Sequence, residues 1–288
     1  MLIFNEANNL HPKIMFEYQQ YPPSAQLADY IECYWILRAE ACFLNSPDPL
    51  VPGGRIEMIF NFASPVNWLI AKDNPGGISF PGPIFMGQRN KVFYVAATGK
   101  VDMLGLRFKP GGLAAFTNMP VSGLLNAIVP AALILGTQVD NWEALLYEQQ
   151  DTAAMLRMLD TLMIKALKVV PRDNLLMNIA IAALRNGNED TSIATVCHQT
   201  GYNYKKLERV FIRNTGYTPK YYHKILRFNK AIRLMHTADA LTSICYACNY
   251  FDQAHFIRDF RQFTGTTPGQ FKRGDNKIAD ILIKHQSV

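Results

Sequence analysis

Charge is scarce in this chain, cysteine is scarcer, and no apolar run is long. Only 18% of the 288 residues are charged while 49% are hydrophobic, which excludes a disordered chain and leaves apolar material for two domains with separate cores. The longest apolar run, Ala127 to Leu135, contains Pro130 and falls well short of the ~20 residues a membrane helix needs, so no span of a bilayer is expected. The five cysteines, Cys33, Cys42, Cys197, Cys245 and Cys248, are odd in number and scattered, which argues against a disulfide framework and for a reducing cytoplasm. Met1 to Phe4 run straight into polar Asn5, Glu6 and Asn8, unlike the basic start and apolar core of a signal peptide. A phosphate-cradling Gly loop and a Ser-centred nucleophile motif are both missing.

What is present divides into two halves. From about residue 30 to 110, short alternating segments are separated by turn clusters at Pro52-Gly53-Gly54, Asn74-Pro75-Gly76-Gly77, Pro81-Gly82-Pro83 and Lys109-Pro110-Gly111-Gly112. Within Arg55 to Phe62, Ile56, Met58, Phe60 and Phe62 share one face, and Leu104, Leu106 and Phe108 repeat the period. Thr98-Gly99-Lys100 reads as a hairpin turn joining Val92–Ala96 to that second run. A small β-barrel or sandwich is expected. Helical spacing takes over after Gly112, near Trp142–Glu148 and Thr152–Leu167, and a boundary is placed at Pro171-Arg172-Asp173 because a helix usually stops before proline. The fold class is thus α+β: residues 1–170 β-rich then helical, and 171–288 all-α.

The modest net charge of +6 is unevenly spread. Between Arg185 and Arg273 stand 14 Lys and Arg against 6 Asp and Glu, the footprint of a polyanion-binding surface. The same segment repeats a pattern at a fixed offset of 49 residues: Leu207, Arg209, Phe211, Gly216 and Pro219 match Phe256, Arg258, Phe260, Gly265 and Pro268. Each copy reads as helix, turn and helix, over about 191–213 and 241–262. Ile193, Ala194 and Cys197 are the expected inner face of the first copy, and Ile244, Cys245 and Cys248 of the second. Gly201 and Asn249 suit the turns, and Asn203 and Asp252 suit the caps of the second helices. Thr218-Pro219 opens a connecting helix to about Met235, whose stripe Tyr221, Ile225, Phe228, Ile232 and Met235 faces inward. Such a strut spans ~25 Å and sets the two units near the ~34 Å repeat of successive major grooves.

Residues 185 to 273 resemble the DNA-binding domain of the AraC/XylS family of bacterial transcription regulators. The resemblance rests on Tyr250-Phe251-Asp252-Gln253-Ala254-His255-Phe256-Ile257-Arg258-Asp259-Phe260 and Thr264-Gly265-Thr266-Thr267-Pro268. Asn249 and Cys245 depart from it, where Gly and Ala are usual. It implies that Lys205, Glu208 and Arg209 on the first recognition helix, and Gln253, Ala254, Ile257 and Arg258 on the second, face bases. Their chemistry suits this: Arg bonds guanine bidentately, Gln adenine, Glu accepts from cytosine, and Ala or Ile packs on a thymine methyl. Tyr204, Lys206 and the strut residues Lys220, Lys224 and Arg227 are assigned to phosphates or to no contact.

The segments Pro52–Phe60 and Gly105–Gly112 resemble an uncharacterised cupin-like sensor, which implies an effector pocket drawn from Trp35, Arg55, Glu57, Arg107, Trp68 and Tyr94. A metal-dependent cupin enzyme would need a histidine cluster, and the first half holds only His11. No metal and no cofactor is therefore expected. Cys245-Tyr246-Ala247-Cys248 is read as core. An alkylation-repair enzyme would need a reactive cysteine, whereas Cys33 and Cys42 lie in or beside apolar strand pattern. The resulting expectation is a non-enzymatic cytoplasmic regulator, named an activator. Its expected partners are double-stranded DNA, RNA polymerase, a small effector and a second copy of the chain, with no membrane. A purely interacting first half without a ligand is the competing reading.

Overall fold

The computed structural model describes residues 16–41, 43–72, 76–168, 173–186, 193–235 and 240–284. The expectations at Met1–Phe4, His11, Cys42, Asn74-Pro75, Pro171-Arg172 and 191–192 lie outside the described residues.

The described strands, in chain order, are β1 (Phe16–Tyr21), β2 (Ile31–Ala39), β3 (Asp48–Leu50), β4 (Glu57–Asn61), β5 (Val66–Leu69), β6 (Ile84–Met86), β7 (Phe93–Ala97), β8 (Val101–Phe108) and β9 (Ile128–Pro130). They form two antiparallel sheets, ordered β1-β2-β8-β4-β6-β9 and β3-β7-β5. These sheets are not closed on each other, so of the two expected forms the sandwich is realised and the barrel is not.

Alternation along the strands feeds two separate cores. On β2, Tyr34 and Ile36 enter the core under the helices, while Trp35 and Leu37 enter the space between the sheets. Ile56, Met58 and Phe60 join Leu104, Leu106 and Phe108 in the first of these, as their spacing predicts. Helices α1 (Ala132–Leu135), α2 (Trp142–Tyr147) and α3 (Thr152–Ala166) contribute to that core, with Tyr34 donating to the Asp160 carboxylate of α3 at 2.5 Å.

The hairpin expected at Thr98-Gly99-Lys100 is a correction. β7 pairs with β3 and β5, whereas β8 pairs with β2 and β4, so this turn carries the chain from one sheet to the other. A tight turn between two alternating runs looks the same in sequence whether the runs pair or face each other across a sandwich.

The rest is helical: α4 (Asp173–Asn186), α5 (Ile193–Thr200), α6 (Tyr204–Thr215), α7 (Pro219–Met235), α8 (Leu241–Ala247), α9 (Gln253–Thr264), α10 (Pro268–Arg273) and α11 (Lys277–Lys284). A third core, centred on α7, gathers Phe211, Tyr222, Ile225, Phe228, Phe256 and Phe260. The strut begins at Pro219 as expected, with the Thr218 hydroxyl accepting from Tyr221 N at 3.1 Å. Its inner stripe uses Tyr222, and Tyr221 is only half-buried. The described residues contain no helix long and apolar enough to cross a membrane.

Candidate nucleic-acid interface and effector cavity

In the first unit, α5 leads through Gly201, at φ 69°, into α6. Asn203 caps α6 by accepting from Lys206 N at 2.9 Å, as its position predicts. Val196 is the buried residue of α5, with Ile193 and Cys197 partly buried beside it. Ala194 is exposed, which corrects its assignment to the inner face: the stripe follows Ile193, Val196, Cys197 and Thr200, and Ala194 falls off it. Leu207, Val210 and Phe211 bury one side of α6 and leave Tyr204, Lys205, Lys206 and Arg209 exposed. Three of the outward residues are already engaged. Glu208 accepts from the Tyr204 hydroxyl at 2.9 Å, and the Lys206 ammonium lies 3.6 Å from the Tyr202 ring centroid.

The second unit repeats this construction with different residues. Asn249 adopts φ 57° at its turn, the conformation for which glycine is usual, and Ile244, Cys245 and Cys248 are buried. Asp252 caps α9 by accepting from His255 N at 2.6 Å. Phe256, Phe260 and Phe263 face the core, while Gln253, Ala254 and Arg258 are exposed and Ile257 is half-buried. Each unit therefore presents one solvent-facing side of a capped helix, carrying the residues expected to read bases. Gly216 and Gly265, at φ 75° and 74°, close α6 and α9 identically.

Asp259 is a positioning residue of this face that sequence reasoning missed. It lies on the buried side of α9, where Lys224 approaches at 2.9 Å, Arg227 at 3.1 Å and His255 at 3.6 Å. Arg227 also covers the Tyr250 ring at 4.3 Å. The strut cations Lys224 and Arg227 are thus engaged within the fold, fixing α9 against α7, and Lys220 stays exposed.

Between the sheets lies a small cavity of about 50 Å³, partly open to solvent. Trp35, Glu57 and Trp68 are on its wall as expected, beside Tyr18, Arg89 and Met103. Arg107 stands behind Glu57, paired with it at 2.7 Å. Burial opposes the charge of Arg107, and Glu57, with smaller contributions from Tyr18, Cys33 and Glu32, together more than offset it. Arg55 is off the wall and paired with Glu32 at 2.7 Å, and Tyr94 also lies off the wall, near the Gly265 turn. Gly105 makes room for the wall itself, because a Cβ there would stand 2.1 Å from the Trp35 ring. Two buried donors on the wall lack partners: Trp35 Nε1 and Arg89 Nε. Burial drives the Cys33 thiol up to about 11, and Cys248 likewise to about 11. Neither is a reactive thiolate near neutral pH.

Two family models match the chain: a helix-turn-helix domain over residues 196–274 and a domain of unknown function (DUF6597) over residues 19–130. The transcriptional activator RhaS of Enterobacter sp. (strain 638) is 33% identical over 87 residues, covering 30% of this chain and 31% of RhaS. RhaS of Escherichia fergusonii is 31% identical over 87 residues, with the same coverage of 30% and 31%. Over residues 196–274 the chain is similar to the helix-turn-helix domain of AraC/XylS-type regulators. The chain spans about a third of the length of these relatives. A solved structure of ToxT from Vibrio cholerae aligns over 90% of this chain and 97% of its own, with 11% identity and a TM-score of 0.44.

Proposed function

We propose that the whole chain is a sequence-specific transcription activator in which α6 and α9 enter successive major grooves and the amino-terminal half, to about residue 170, senses a small effector. The observation that carries this reading is the paired, capped and outward-facing recognition helices on one strut, in a domain of AraC/XylS type. Base contacts are assigned to Lys205, Glu208, Arg209, Gln253, Ala254, Ile257 and Arg258, and phosphate contacts to Tyr204 and Lys206. The effector assignment rests on the cavity, whose unpartnered donors at Trp35 and Arg89 suit a molecule with an apolar body and an oxygen acceptor. Arg89 also touches the DNA-binding half directly, its carbonyl accepting from the Tyr217 hydroxyl at 2.5 Å. We assign the chain to the cytoplasm and to non-enzymatic action, with RNA polymerase as the protein partner. Selection from a random duplex library tests the reading: a bipartite site supports it, and no enrichment contradicts it.

A further inference from the structure

Helix α11 belongs to the helical half by chain position, yet it completes the sandwich. Ile278 and Ile281, three residues apart on one helix face, lie in the core between the sheets and on the cavity wall, whereas Ala279 lies in the helical core with the strut. Its first turn is held by the amino-terminal half. The buried Asp48 carboxylate of β3 accepts from Lys277 N and Ile278 N, each at 2.9 Å, and the Lys277 ammonium donates to the Phe43 carbonyl at 2.8 Å.

Every other wall residue of the cavity comes from the amino-terminal half. An eight-residue helix is too short to persist by itself, so α11 depends on this cap and these two isoleucines. An apolar molecule between the sheets would cover the same surfaces that Ile278 and Ile281 now cover.

We propose that α11 is a movable wall of the cavity and a bolt between the two halves: a molecule filling the cavity displaces Ile278 and Ile281, frees the Asp48 cap and unlocks the DNA-binding half. This rests on the effector reading above and names its mechanism. The bolted form is the one that binds DNA well, because both recognition helices are exposed in it while Tyr217, Tyr221 and Asn229 fix their domain to the sandwich.

The test uses the full chain, its selected duplex, and the apolar aromatic sulfonate dye 8-anilinonaphthalene-1-sulfonate as the cavity probe. In the double variant I278A/I281A, the dye should bind about ten-fold tighter and the duplex about ten-fold weaker, and in the unaltered protein dye and duplex should oppose each other by one reciprocal factor. Asp48→Ala, which removes the cap and keeps both isoleucines, should act in the same direction, and it carries the test if circular dichroism shows the double variant unfolded. Duplex affinity that is unchanged or raised while the dye enters more readily overturns the bolt. If the unaltered protein selects no duplex at all, the regulator reading fails first, before any variant is made, and this inference falls with it.

Discussion

Residues on the recognition helices differ in how free they are to read DNA. Arg258 is exposed, and Arg258→Ala is expected to cost ~1–3 kcal/mol of operator binding and to relax specificity at one base pair, checked by titrating single-substituted duplexes. Glu208 begins from a different state, since the Tyr204 hydroxyl already holds it. Asp259 acts by placement. Asp259→Ala strands the partly exposed Lys224 and Arg227, and an unfolding free energy lower by ~2 kcal/mol is expected in urea titration, with weakened DNA binding because α9 loses its tie to the strut. The outward residues were legible because the repeat fixes which helix face is buried. Asp259 and Arg89 were not, because a charged residue in a one-dimensional pattern reads as surface until the groups that surround it are known.

At the level of elements, caps and turns carry the repeat through sequence change. Asn249 occupies the left-handed turn that Gly201 occupies in the first unit, so Asn249→Gly should leave DNA binding intact and hold or slightly raise the thermal midpoint. Asn249→Val should lower stability by ~1–2 kcal/mol, since a β-branched residue tolerates that conformation poorly. The cap of α11 is pH-sensitive. Burial pushes the Asp48 carboxyl up to about 6, despite its two backbone donors and nearby Lys277, with Asp275 adding to the rise. Because the folded value lies above the ordinary one, the stability this group contributes is complete below about pH 4. It is lost as pH rises through 6, on the order of 3 kcal/mol in all. Comparing thermal unfolding of the natural protein with Asp48→Asn from pH 4 to 7 isolates the effect: the difference between them should change across that window, and a constant difference would count against it. Helix periods and strand alternation were readable, but sheet partnership was not. The segments at Val92–Ala96 and Leu104–Phe108 alternate equally well whether they pair or oppose each other, and only the closed structure assigns them to different sheets.

Across the whole molecule, the two halves share more than a linker. The Tyr217 and Tyr221 hydroxyls reach the carbonyls of Arg89 and Asn90, Asn229 reaches that of Gly53, and Asp48 caps the final described helix. None of these contacts has a local sequence signature, because each joins residues more than 100 positions apart. Under the proposed effector reading they are the route by which occupancy of the sandwich would alter presentation of α6 and α9. The central claim is that both units read DNA together on the α7 strut. It is tested most directly by selecting bound duplexes from a random library with the full chain and measuring affinity for the winner against salt. Two half-elements about one helical turn apart, with affinity falling steeply as salt rises, is the predicted result, and a single enriched element or a flat salt response would contradict it.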